Sequence, residues 1–226
     1  MKFIDDLLFL AMDVVEGNVN TLILERQENF SRIVFNIFQQ SKGYSGPISI
    51  TNGMDKFVNL EKDILLFFNP FEINLNDRRF INSLYSQIVS QISDYVDLKN
   101  QIVTDGYHLL EKIEEEFDCI NLKFSFEPDM REYLKSWKVE FDDDTSNLFE
   151  RVISLLKICT YVNKYSLLIF VGFKQYFTFE EFSEFVKMVR YFGVTILLIE
   201  PQEINIAAGE NVCIVDRDSC IIPYVK

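Results

Sequence analysis

The sequence predicts an α/β fold: a mostly parallel sheet on a degenerate P-loop-NTPase-like framework, split by an α-helical insertion. Three observations carry this. Four segments, TLILE (21–25), DILLFF (63–68), LLIFV (167–171) and TILLIE (195–200), are continuous apolar runs of strand length without polar alternation, as parallel strands covered on both faces require. Between the last two lies TFEEFSEFVKMVRYFG, where Phe179, Phe182, Val186, Val189 and Phe192 recur at helical spacing, giving one strand–helix–strand crossover. In the middle of the chain the apolar residues change to helical spacing, so the α/β core is interrupted by a helical arm.

The first corner, TLILERQENFSRIVFNIF (21–38), runs from a strand straight into an amphipathic helix, as a phosphate-binding domain begins. No glycine stands between Gly17 and Gly43. A phosphate loop needs glycine there, because several backbone N–H groups must turn toward the anion while the chain passes close beside it. The pattern GxxxxGK[ST] would also bring a Lys and a magnesium-binding hydroxyl, whereas ERQENFSRI offers only Ser31. The strand ends that would hold the metal carry no carboxylate: LLIFV is followed by Gly172 and Phe173, and DILLFF by Asn69 and Pro70. The framework reads as an NTPase fold without its chemistry, binding no nucleotide.

In the insertion, Ile81, Leu84, Ile88, Ile92 and Tyr95 form one apolar stripe, and Leu109 or Leu110, Ile113 and Phe117 another. The polar DLKN (97–100) between them reads as the break of a long helical hairpin. A further helix is expected from about Ser146 to Val162, with Leu148, Val152, Leu155, Cys159 and Val162 in register. Gly193 closes the covering helix. VCIV (212–215) and CIIPY (220–224), separated by DRDS, read as a terminal hairpin with Pro223 favouring an edge.

Composition narrows the classes of function. The 226 residues are 48% hydrophobic with 22 Phe and 10 Tyr, enough for one main core carrying an insertion. No apolar run approaches the length of a membrane span, and MKFIDDLLFL has Asp5 and Asp6 where a signal peptide carries positive charge, so a cytoplasmic protein is expected. Cys119, Cys159, Cys213 and Cys220 sit in apolar surroundings without CxxC spacing, which suggests buried free thiols. His108 is the sole histidine and there is no GxSxG elbow, so neither triad chemistry nor a multi-imidazole metal site is expected, and the protein is not read as an enzyme. The balance of 22 basic against 35 acidic residues, a formal charge of −13, argues as an average against nucleic acid. An oligomer can nevertheless collect Lys and Arg on one inner surface.

Laid out in this order, the segments resemble the Csn-two family of type II-A CRISPR loci. The best-matching stretch is KYSLLIFVGFKQYFTFEEFSEFVKMVRYFGVTILLIEPQE (164–203), with its ending Glu200, Pro201 and Glu203. NTLILERQENFSRIV (20–34), ILLFFNPFEINLND (64–77) and TSNLFERVISLL (145–156) fit the family's remaining corners in order. The resemblance implies an α/β head domain, 1–75 with 165–226, and a helical leg domain, 76–164. It further implies a homotetrameric ring that threads double-stranded DNA and binds its ends without regard to sequence. Calcium ions stabilise such rings, which act in spacer acquisition beside the integrase pair and the effector nuclease of the same locus.

A ring sliding on duplex needs several Lys or Arg on its bore. Arg131, Lys135 and Lys138 are spaced to align on a helix after Pro128 if that helix extends so far, and Lys157, Lys164 and Lys174 lie near the carboxyl edge of the sheet. A solvated helix face is an equal alternative for the first three. Lys187 and Arg190 are expected to serve surface pairing, with Glu184 three residues before Lys187. For calcium, which takes six to eight oxygens, Glu127, Asp129 and Glu140 are the candidates. Asn121, Lys123 and Ser125 stand where some family members have carboxylates, and Asp142, Asp143 and Asp144 equally suit the positive end of the following helix. Two other readings stay open: an acidic scaffold that recruits other adaptation proteins with incidental DNA contact, and an NTPase with an unusual site.

Overall fold

The computed structural model describes residues 1–53, 56–92, 96–116, 129–162 and 165–224. In chain order its elements are β1 (Lys2–Asp5), β2 (Leu10–Asp13), β3 (Val19–Leu24), α1 (Gln27–Ser41), β4 (Ile48–Thr51), β5 (Ile64–Phe67), α2 (Arg78–Ile92), α3 (Val96–Glu116), α4 (Met130–Ser136), α5 (Leu148–Val162), β6 (Leu167–Val171), α6 (Phe179–Phe192), β7 (Ile196–Glu200), β8 (Asn211–Val215) and β9 (Ile221–Tyr224).

The four apolar runs become β3, β5, β6 and β7 of one sheet ordered β5-β6-β7-β3-β8-β9. All neighbours in it are parallel except β8 and β9, whose antiparallel hairpin puts Pro223 on the edge strand. A mixed α/β fold with a largely parallel sheet is therefore present. Every residue of β3 and of β7 is buried, which accounts for the apolar runs 22–24 and 196–199 within them.

A second, antiparallel sheet ordered β2-β1-β4 was not legible in the sequence. Its strands are four residues long and two carry charge, yet they alternate: Phe3, Asp5, Leu10, Met12, Ile48 and Ile50 are buried. The apolar members join Leu22, Leu24, Ile33, Ile37, Leu197 and Ile199 in one core, with α1 within it.

The polypeptide divides into two units, residues 1–75 with 143–226, and residues 76–142. The assignment of 76–164 to a leg therefore needs correction, because α5 belongs to the first unit. It packs on α6 and buries Val152, Ile153, Leu155, Leu156, Ile158, Cys159 and Val162, nearly every side of the helix. Within the second unit α4 packs on α2, with Tyr85 and Leu134 buried. The Asn76 side chain pairs both ways with the Phe141 backbone, at 3.0 and 2.8 Å. DLKN is not a break: residues 97–100 belong to the first turn of α3, whose polar side chains face solvent.

The thiol expectation holds for two positions and fails at one. Cys159 and Cys213 are buried and unbonded, and desolvation pushes the Cys159 thiol up to about 12. Cys220 is exposed, because it opens the edge strand, and Cys119 lies outside the described residues.

Candidate functional site

At the corner where a nucleotide would sit, β3 ends at Leu24 and α1 begins at Gln27, leaving two connecting residues. Glu25 N–H donates to Val215 O at 3.0 Å, which ties the connection to β8. Arg26 occupies the N-cap without a side-chain cap and pairs with Glu28 at 2.6 Å. This two-residue link, with Arg26 extended, forms no cradle of convergent N–H groups of the kind that the GxxxxGK[ST] pattern builds.

The carboxyl edge of the sheet instead holds a buried charge cluster. Glu200, the last residue of β7, is 1% exposed, and its Oε1 accepts from the N–H groups of Phe173 and Lys174 at 2.8 and 3.1 Å. Lys174, in the turn after β6, is 3% exposed. Its Nζ lies 2.5 Å from Glu210 Oε1, donates to Ile204 O at 3.2 Å, and stands over the Phe182 ring at 4.7 Å. The Thr21 hydroxyl donates to the same Glu210 oxygen, and Ala207 N–H to Oε2 at 3.0 Å. Glu200 Oε2 is buried without a hydrogen-bond partner. Burial pushes the Glu200 carboxyl up to about 7 against the backbone donors and the Lys174 ammonium, and the Glu210 charge adds to the rise.

This placement corrects the expectation for Lys174: its ammonium is committed to an internal pair and does not face a duplex. The helix expected to align Arg131, Lys135 and Lys138 stops at Ser136, and Lys138 lies past its C-cap with a positive φ of 51°. The three therefore do not share a helical stripe. Arg131 donates to Ser86 Oγ, Lys135 pairs with Glu132 at 2.5 Å, and Lys138 is exposed. Lys157 is exposed on α5 beside Thr160, Tyr161, Met188 and Tyr191, while Lys164 lies outside the described residues. Lys187 pairs with Glu184 at 3.1 Å as expected. Arg190 does more than surface pairing, since it donates to Asn18 Oδ1 and Gly209 O at 3.0 and 2.6 Å.

The calcium candidates do not form a site among the described residues. Asp129 is the N-cap of α4 and accepts from Arg131 N–H at 2.8 Å, Glu140 is exposed, and Glu127 lies outside the described residues. No three acidic, His or Cys side chains converge there among the described residues. Asp143 is taken by Arg151 at 2.9 Å, and Arg151 also donates to Ile73 O and Thr145 Oγ1 at 3.1 and 3.2 Å. Among the described residues no helix is long and apolar enough to cross a membrane.

Glu210 and Thr21 were missed by sequence reasoning. The signals in the sequence point only to other members of the cluster: Lys174 inside an aromatic run, GFKQYF, and Glu200 closing an otherwise apolar strand, TILLIEP.

The class these features define is a two-unit α/β protein with a helical insertion and no phosphate loop at its first strand–helix corner. Comparison with known proteins narrows it. The family described as CRISPR-associated protein (Cas_Csn2) matches residues 47–219. The CRISPR-associated protein Csn2 of Enterococcus faecalis is 24% identical over 157 residues, which cover 69% of this chain and 64% of that protein. The chain thus spans a little under two thirds of that relative. The crystal structure of Stu0660 of Streptococcus thermophilus shares the fold with a TM-score of 0.62 at 11% identity, covering 100% of this chain and 77% of that one. The chain belongs to the Csn2 family of CRISPR-associated proteins.

Proposed function

We propose that this protein is a non-enzymatic, sequence-independent binder of double-stranded DNA ends that acts as a homotetrameric ring in spacer acquisition, beside the integrase pair and the effector nuclease of its locus. The observation that carries the reading is membership of the Csn2 family over residues 47–219. The two-residue link between β3 and α1 supports a head whose NTPase-like framework is not used for hydrolysis. Lys157 and Lys138 are the exposed cations best suited to phosphate, and Arg131 and Lys135 reach it only by leaving their present partners. Exposed ion pairs exchange at little cost, so Lys135 keeps a place in the reading. Lys174 does not, and the described acidic residues give the reading no metal step.

The test is titration with linear and covalently closed circular duplex at rising salt. Retention of the linear form alone, with affinity falling steeply as salt rises, is the expected result. Equal retention of both forms removes threading.

One observation favours a second reading, recruitment of protein partners by the helical unit. Ile102, Leu109, Leu110 and Tyr133 line an open groove of about 450 Å³, with Leu109 61% exposed. Sedimentation separates the two: a tetramer that shifts on adding duplex supports the ring, and a monomer indifferent to DNA supports the scaffold.

A further inference from the structure

We propose that Glu200, Lys174 and Glu210 form a proton-controlled latch, which holds the segment returning from the carboxyl end of β7 to the amino end of β8 and releases it as Glu200 ionises. The cluster has one ammonium for two carboxylates, all three side chains being buried. With Glu200 neutral, Lys174 and Glu210 balance at 2.5 Å and the site carries no net charge. With Glu200 ionised, a second buried negative charge has only two backbone N–H donors on one oxygen and none on the other. An unbalanced charge at such a site is unfavourable, because the ion has lost its water without gaining a full set of partners.

The relief lies in the segment itself. Residues 201–210 are anchored by Lys174 through Ile204 O and Glu210, by Thr21 through Glu210, and by Arg190 through Gly209 O. Most of these ties converge on the cluster, so opening the segment admits water to Glu200 and separates it from Glu210 without disturbing the strands. Asn205, in the middle, holds a φ of 21°, a conformation that opening releases. The charged groups acting on Glu200 are Lys174 from the turn after β6 and Glu210 from the start of β8. The adjoining elements add a hydroxyl from Thr21 on β3 and the Phe182 ring on α6. The latch is therefore closed on the acidic side of neutrality and loosens on the alkaline side.

Amide hydrogen exchange of the 201–210 peptide, corrected for intrinsic rates, tests this in the full-length protein. Between about pH 6 and about pH 8.5, protection is expected to fall about tenfold, the linkage between a carboxyl near neutrality when closed and one near its ordinary value when open. Glu200→Gln abolishes that fall, and Glu210→Gln moves its midpoint to lower pH, because the charge that raises the Glu200 value is gone. A pH response identical in the native protein and Glu200→Gln overturns the proposal. Should Glu200→Gln fail to fold, the carboxyl carbon of Glu200 is titrated by NMR in the native protein: a midpoint near neutrality supports the latch, and one near 4.5, the ordinary value, overturns it.

Discussion

Asn20 sits at 0% exposure as the second residue of β3, and every polar atom of its side chain is used. Its amide nitrogen donates to Val15 O, Asn18 O and Ile196 O, and its oxygen accepts from Val15 N–H and the Asn211 amide. Asn20→Ala removes both sides of this network and leaves buried partners unmatched, each costing about 1–3 kcal/mol. A loss of at least about 2 kcal/mol in denaturant midpoint analysis is expected. Glu200 gives the residue scale a second, signed prediction. Its folded value, about 7, lies above the ordinary 4.5, so its contribution to stability is complete below 4.5 and is lost as pH rises through 7. Between those limits the native protein loses up to about 3 kcal/mol by chemical denaturation, and Glu200→Gln flattens that decline.

At the scale of the element, α6 is the piece whose sequence and structure agree most closely, because all its determinants are local. Thr178 Oγ1 accepts from Glu181 N–H at 3.2 Å while Glu181 Oε2 accepts from Thr178 N–H at 2.9 Å, a complete capping box, and Gly193 ends the helix at φ 67°. Thr178→Ala is expected to cost about 1 kcal/mol. Gly193→Ala costs about 1 kcal/mol through the left-handed backbone, its Cβ meeting nothing within 4 Å. Thermal melts of the two variants, read together, check both ends of one helix. The parallel strands were legible for the same reason, since burial on both faces writes itself as an unbroken apolar run. The small β2-β1-β4 sheet was not, because short strands with one wet face leave only four alternating positions each. The Lys174 cluster was illegible for a different reason. Its members lie 26 and 36 residues apart along the chain, counting from Lys174 to Glu200 and to Glu210, and only the crossover through α6 brings them together. The sequence offers Lys174 as a DNA-binding candidate near the carboxyl edge because nothing local distinguishes a paired buried lysine from a solvated one.

At the scale of the whole molecule, a formal charge of −13 must be reconciled with a polyanionic ligand. Average repulsion reaches only about a Debye length, roughly 8 Å at physiological salt, so binding is decided by cations nearer to the phosphates than that distance. The structure separates the lysines that qualify from the one that does not, and this gives the DNA reading its sharpest test. Lys157 and Lys138 are exposed, so Lys157→Ala and Lys138→Ala should leave the melting temperature nearly unchanged. Each removes about one phosphate contact per copy from the slope of log affinity against log salt, if it lines the bore. Lys174→Met should do the reverse. Removing the ammonium leaves Glu210 buried without its counter-charge, a loss on the order of 3–5 kcal/mol in stability, while the slope measured on the fraction that stays folded is unaltered. A double dissociation of this kind, melting temperature from one lysine and salt slope from the others, follows only if DNA is held by the exposed cations. A slope indifferent to Lys138 and Lys157 together would place the binding surface elsewhere, and a slope that responds to Lys174 alone would mean that the buried cluster opens to meet the duplex.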